Sequence, residues 1–125
     1  MERRFFQRVP LQVSAIVTTE DGVRIKVVTS DISTDGLGIE CNAKQRNMIT
    51  PGGSFVRSGK PISVSIDLNL NETIEFPSKL VARCQIAFSR RMSNNHCKLG
   101  LRYIEIDNNG YELLVQYVEN AITSD

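Results

Sequence analysis

Apolar and polar residues alternate with period two along much of this chain, the pattern of strands that face a core on one side and water on the other. Leu11, Val13, Ala15 and Val17 stand against Gln12, Ser14, Ile16 and Thr18, and Val23, Ile25 and Val27 repeat the pattern before Ser30. Between them Glu20-Asp21-Gly22 carries the Asp-Gly signature of a tight hairpin, so residues 11–18 and 23–30 are expected to pair as strands one and two. A third strand, 37–41, follows a short polar stretch. The fourth is the most regular: Ile62, Val64, Ile66, Leu68 and Leu70 alternate with Ser63, Ser65, Asp67 and Asn69, and residues 69–72 turn it. In the fifth, 78–88, Leu80, Ala82, Cys84 and Ile86 form the inward set. Pro77 interrupts it after 73–76, and because proline has no N–H to give a central ladder the strand either begins after it or runs there as an edge with a bulge. Residues 89–96 read as a polar loop, and 97–106, with Cys97, Leu99, Leu101 and Tyr103 on one face, completes a count of six.

Two segments depart from this period. Residues 42–60 hold Pro51, Gly52, Gly53 and Gly59 without clean periodicity, and read as a long connection with a short strand or a helical turn near Phe55-Val56. At the end of the chain Tyr111, Leu114, Val115, Val118 and Ile122 recur at helical spacing after a cap at Asp107 or Asn108, predicting an amphipathic helix that seals one side of the sheet. The expected organisation is one domain: a mobile arm over 1–10, strands over 11–106, and a helix and tail over 107–125. Pro10 holds Val9 away from helical backbone, which makes the arm extended and largely unanchored. Phe5 and Phe6 are its exception, since adjacent phenylalanines suit docking against the body.

Composition narrows the function classes. The 125 residues suffice for a single core. Fifteen Lys and Arg against fourteen Asp and Glu leave a net charge of +1, so no global pull toward nucleic acid or an anionic membrane exists and any anion site must be local. No run approaches the length of a membrane span and no signal-peptide pattern opens the chain, which predicts a cytoplasmic protein without membrane insertion. Cys41, Cys84 and Cys97 show no paired spacing and read as small buried hydrophobes; His96, the one histidine, reads as a turn residue. No metal site, no cofactor and no catalytic constellation is expected, so the protein is read as a non-enzyme.

The chemistry that remains sits in two short motifs. Asp31-Ile32-Ser33-Thr34-Asp35-Gly36 separates strands two and three. Asp31 can accept two hydrogen bonds from a planar amidine-like edge, Ser33 can donate or accept, and Gly36 can take a positive φ that closes a turn. The same residues also suit a turn capped by its own side chains. At the start of the chain Arg3, Arg4 and Arg8 fall within Arg3-Arg4-Phe5-Phe6-Gln7-Arg8.

An R-x-x-x-R segment, Arg4 and Arg8, followed at this distance by D-x-S-x-x-G, Asp31, Ser33 and Gly36, resembles the PilZ domain family of bacterial cyclic di-GMP receptors. Gly100-Leu101-Arg102-Tyr103 in the last strand is a further likeness, with tyrosine where the family often has phenylalanine. The resemblance implies a six-stranded antiparallel β-barrel followed by a helix. It also implies a ligand, cyclic di-GMP, whose guanine and phosphate edges are taken by Arg4 and Arg8 while Asp31, Ser33 and Gly36 form a base-recognising wall. Arginine suits this because a guanidinium pairs bidentately with the O6 and N7 of guanine, binds phosphate and stacks on a purine face. In the family an arginine just before R-x-x-x-R, here Arg3, favours two ligands per chain, which is the expected stoichiometry. An effector protein partner is implied but not named. Two rival readings are a nucleotide-independent adaptor and a single-stranded nucleic-acid-binding barrel; the second is opposed by the near-zero charge and the absence of tryptophan.

Overall fold

The computed structural model describes residues 7–54, 56–70 and 79–123. In chain order these hold β1 (Val9–Pro10), β2 (Ser14–Thr19), β3 (Arg24–Ile32), β4 (Gly36–Cys41), α1 (Ala43–Ile49), β5 (Val56–Arg57), β6 (Lys60–Pro61), β7 (Ser63–Asn69), β8 (Lys79–Ser93), β9 (His96–Ile106) and α2 (Gly110–Thr123). Six strands run β3-β2-β7-β8-β9-β4, every neighbouring pair antiparallel, and β4 pairs back onto β3. The sheet therefore closes into the six-stranded antiparallel barrel that was expected, with a helix at its C-terminal end. Closure removes the exposed sheet edges that an open six-stranded sheet would leave.

The inward sets follow the alternation. Ala15, Val17, Ile25, Val27, Leu37, Ile39, Ile66, Leu80, Cys84, Leu99 and Leu101 are buried in one core. Three elements differ from the sequence reading at their ends. Val23 is 42% exposed and belongs to the β2–β3 turn, because Gly22 with φ +87° bends the chain there and Thr19 Oγ1 accepts the Val23 N–H. The stretch 89–96 is no loop: β8 continues to Ser93 and pairs with β9 up to Ser93↔His96, leaving Asn94-Asn95 as the turn. The β7 ladder ends at Ser63↔Gln85, so this stretch pairs with β9 alone, and Arg90 to Ser93 are exposed; ladder hydrogen bonds hold it without an apolar face. The helix starts at Gly110, with Leu113 N–H donating to the carbonyl of Asn109; Asp107 and Asn108 form the preceding turn, with Asn108 at φ 51°. Its buried set is Leu114 and Val118, whereas Tyr111 and Ile122 are exposed.

The unpatterned connection contains α1. Asn42 Oδ1 accepts the Gln45 N–H at 2.8 Å and Gln45 Oε1 accepts the Asn42 N–H at 3.0 Å, a capping box at the helix start. Ile49 anchors the helix to the core, and β5 and β6 form a two-strand flap whose turn uses Ser58 and Gly59 at positive φ. Phe55, Pro77 and residues 73–76 lie outside the described residues. Among the described residues no helix is long and apolar enough to cross a membrane.

The mobile arm expected over 1–10 does not include Val9 and Pro10, which form a strand. Val9 is buried and pairs with Ile32, and Pro10 pairs with Asp31, so β1 continues the edge of β2 along β3. The break between them, residues 11–13, is bridged by two backbone bonds, Leu11 N–H to the Ser30 carbonyl at 3.3 Å and Thr29 N–H to the Val13 carbonyl at 2.9 Å, and by one side chain. Thr29, 1% exposed, accepts the Val13 N–H at 2.9 Å and donates to the Leu11 carbonyl at 2.6 Å. A hydroxyl buried inside a hydrophobic barrel is tolerated because both of its bonds are made to backbone groups that a broken ladder would orphan. Phe5 and Phe6 lie outside the described residues.

Candidate functional site

The site is built on a bulge. Ile25, Val27 and Thr29 point inward along β3, and an unbroken period of two would turn Asp31 inward as well. The register instead shifts between Thr29↔Ile39 and Asp31↔Gly38, so Ser30 is the extra residue, and beyond it Asp31 faces out while Ile32 returns to the core. Gly38 opposite Asp31 keeps the space clear: a Cβ there would lie 2.7 Å from Ser30 Oγ and 2.9 Å from Lys98 Cε.

Two cations converge on the outward-facing carboxylate. Arg8 Nη1 lies 2.7 Å from Asp31 Oδ1, Lys98 Nζ lies 2.8 Å from Asp31 Oδ2, and Ser30 Oγ donates to Oδ2 at 3.1 Å. The Asp31 side chain is 18% exposed. Burial on its own pushes its pKa up, but the hydrogen bonds and positive charges of Lys98 and Arg8 outweigh burial and hold it below the usual 3.8. Arg8 is placed by β1, and β1 is placed by Thr29, so the inward face of β3 positions a group on its outer surface.

The loop after Asp31 is a closed turn. Ser33 N–H donates to the Gly36 carbonyl at 2.8 Å, the Ser33 hydroxyl donates to the Asp35 carboxylate, and Asp35 N–H donates back to Ser33 Oγ at 3.2 Å. Ser33 is fully buried. Gly36 does not take the positive φ expected of it; glycine is needed because a Cβ would run into the Leu101 carbonyl on β9. The loop rests on Tyr103, whose N–H donates to the Asp35 carbonyl at 3.0 Å and whose buried hydroxyl has no hydrogen-bond partner among the described residues. Burial, with smaller contributions from Cys84 and Asp35, pushes the Tyr103 hydroxyl pKa up. An open groove of about 740 Å³ adjoins the loop, lined by Thr34, Asp35, Arg102, Tyr103, Ile104 and Tyr111.

Of the residues named from sequence, the structure brings Arg8 onto Asp31 and sets Ser33 and Gly36 in the adjoining turn. Arg3 and Arg4 lie outside the described residues. Lys98 was missed: alternation with Cys97 and Leu99 turns it outward, but nothing local shows that β9 runs two strands away from Asp31, sixty-seven positions earlier. The cysteines are buried thiols, with burial raising Cys41 to about 11 and Cys84 to about 12. His96 opens β9, with Nε2 2.7 Å from Glu40 Oε1.

The PilZ domain family model matches residues 2–120. The chain belongs to the PilZ domain family. No curated protein matches this sequence. Among solved structures, this PilZ domain is similar to the Bacillus subtilis inhibitor of motility (MotI/DgrA), with TM-score 0.72 and 19% identity over 100% of this chain and 54% of that one. It is also similar to MrkH of K. pneumonia, solved as a complex with c-di-GMP, with TM-score 0.64 and 9% identity over 99% of this chain and 54% of that one. The PilZ domain of YcgR from Escherichia coli, solved with c-di-GMP, aligns with TM-score 0.62 and 11% identity over 98% of this chain and 94% of that one. At such identities the likeness concerns the fold. The chain spans about half the length of the first two proteins, 54% of each.

Proposed function

We propose that this PilZ domain is a cyclic di-GMP receptor, in which Arg4, Arg8, Asp31, Ser33 and Gly36 form the recognition set and Arg3 admits a second ligand. The observation that carries this reading is the 2.7 Å contact of Arg8 with Asp31, which joins the two halves of the motif across 23 positions of sequence. Each group has a task that its chemistry suits. The ionised Asp31 accepts from guanine N1–H and N2–H, and a carboxylate retains acceptor capacity beyond the bonds it already makes. Ser33 and Gly36 act through the loop: their turn fixes the position of the wall. Arg8 turns from Asp31 to a phosphate or to the O6 and N7 edge of guanine, with Arg4 and Arg3 brought against the ligand from the same segment. Holding that segment against the ligand changes the surface offered to an effector protein. MrkH and the YcgR PilZ domain, of the same fold, are described with c-di-GMP bound.

The occupied state of Asp31, with Arg8, Lys98 and Ser30 all on its carboxylate, is what favours the rival reading of a nucleotide-independent adaptor. Calorimetric titration of the purified chain with cyclic di-GMP, GTP and a short oligonucleotide separates the readings. The expected result is saturable binding of cyclic di-GMP alone. Heat from none of the three leaves the adaptor, and a preference for the oligonucleotide leaves the nucleic-acid barrel.

A further inference from the structure

The last pair of the β4–β9 ladder is Cys41 opposite Cys97. Alternation with Leu37 and Ile39 on one strand and with Leu99 and Leu101 on the other turns both side chains inward, and both are buried free thiols. Side chains directly opposite on one face of an antiparallel pair have Cβ atoms about 4.5–5.5 Å apart, and a disulfide needs about 3.5–4.5 Å. The two ranges meet. Because the pair ends its ladder, the closing movement bends a strand end and leaves the pairings of Gly36 to Glu40 in place. On the outer face the same end is already drawn together by His96 Nε2, 2.7 Å from Glu40 Oε1. Cys84 has no such partner: it stands opposite Val64 and Tyr103, and Tyr103 lies on the order of 20 Å along β9 from Cys97.

We infer that Cys41 and Cys97 form a two-cysteine site for hydroperoxides, which join them in a reversible bond across the end of the barrel. The Cys41 thiolate attacks one oxygen of the O–O bond, which breaks; that oxygen stays on sulfur as a sulfenic acid, and the other takes a proton and leaves as water or alcohol. The Cys97 sulfur then attacks the Cys41 sulfur, and the displaced hydroxide takes the Cys97 proton and leaves as water. Two thiols are oxidised to one disulfide as one peroxide is reduced. The order follows from access, since Cys41 is 7% exposed and Cys97 fully buried, and only a small oxidant reaches either. Burial, with the neighbouring Cys97 sulfur, raises the Cys41 pKa to about 11 against the opposing charge of Arg46, so about one thiol in 10,000 is ionised at pH 7. The reaction is therefore slow and marks sustained exposure instead of a brief pulse. Drawing the strands together strains the bond, and strained disulfides are readily reduced by thiols. Asn42, the cap of α1, directly follows Cys41, and α1 packs on β9, so the bond also fixes the start of this helix.

Hydrogen peroxide added to the folded chain is the probe, and non-reducing peptide mapping by mass spectrometry is the readout. The expected product is a monomer whose Cys41 and Cys97 peptides are linked and are separated again by dithiothreitol. Met48 and Met92, both exposed, become sulfoxides in the same sample and show that the peroxide acted. Cys84→Ala is expected to keep the link, Cys41→Ala to lose it with Cys97 still a thiol, and Cys97→Ala to leave a Cys41 sulfenic acid that dimedone traps. Amide exchange across Ala43–Ile49 is expected to slow several-fold in the linked protein. Oxidised methionines beside free Cys41 and Cys97 thiols in wild type overturn the site, as does a link made through Cys84 or between chains. Equal exchange of α1 in the linked and reduced forms overturns its coupling to the bond. Should an alanine variant fail to fold, the wild-type peptide map decides alone.

Discussion

At Asp31 a few ångströms decide what the protein can hold. Its pKa is the outcome of opposed effects, burial raising it and Lys98 and Arg8 lowering it further than burial lifts it. The sign of the pH effect follows. A carboxyl whose folded pKa lies below its unfolded value adds stability above that unfolded value and loses it as pH falls through the folded one. Asp31→Asn is therefore expected to be less stable than wild type at pH 7, with the gap starting to narrow below about pH 4, the unfolded value, and vanishing as pH falls through the lower folded one. Denaturant melts of both proteins at pH 7 and pH 3 check this, and a gap of equal size at both would contradict it. The motif residues were legible because Asp, Ser and Gly at fixed spacing have few roles. Which role each plays was not. Gly36 was read as a source of positive φ and turned out to be required by the Leu101 carbonyl beside it, a contact made with a strand sixty-five positions on.

Among the elements, β1 ties the arginine motif to the barrel. It is only two residues long, too short to hold by its own ladder, and Thr29 helps close the gap between it and β2. Thr29→Val keeps the shape but orphans the Val13 N–H and the Leu11 carbonyl, each buried or half-buried, at about 1–3 kcal/mol. Thermal melts should show that loss, and titration should show weaker cyclic di-GMP binding although Thr29 faces away from the ligand site. An unchanged melting temperature would mean that the clasp is incidental. Strands with an apolar face were readable from alternation, as Ile62 through Leu70 shows. The stretch from Ser89 to Ser93 was not, because past the end of the β7 ladder its hydrogen bonds to β9 persist after the apolar alternation has stopped. Helix α1 was missed for another reason: its signal was the cap Asn42-x-x-Gln45, overlooked beside the glycines and proline that follow it.

Over the whole molecule, barrel closure brings together residues of β3 and β9 that no local pattern connects, which is why Lys98 had no place in the sequence reading of the site. Helix α2 packs on β8 and also touches β1, so it abuts the strand that directly follows Arg8. Stoichiometry belongs to this scale. Two stacked ligands gather four phosphates and four guanines, whose like charges need a further cation and whose exposed purine faces need cover. Arg3 supplies both functions under the proposal. Two cyclic di-GMP per chain are expected, falling toward one in Arg3→Leu, with Arg4 and Arg8 still contributing; a calorimetric ratio of one for fully active wild type would contradict it.

Under the proposal, Arg8 and Asp31, held together by β1 and the β3 bulge, recognise cyclic di-GMP. Calorimetric titration of Arg8→Ala beside wild type tests it most directly, because Arg8 is two-thirds buried at the site and its removal leaves charge-assisted bonds unmade. Wild type is expected to bind at micromolar concentration or tighter, and the variant to lose at least about tenfold, roughly 1.4 kcal/mol or more. Equal affinity of the two proteins for cyclic di-GMP would contradict it.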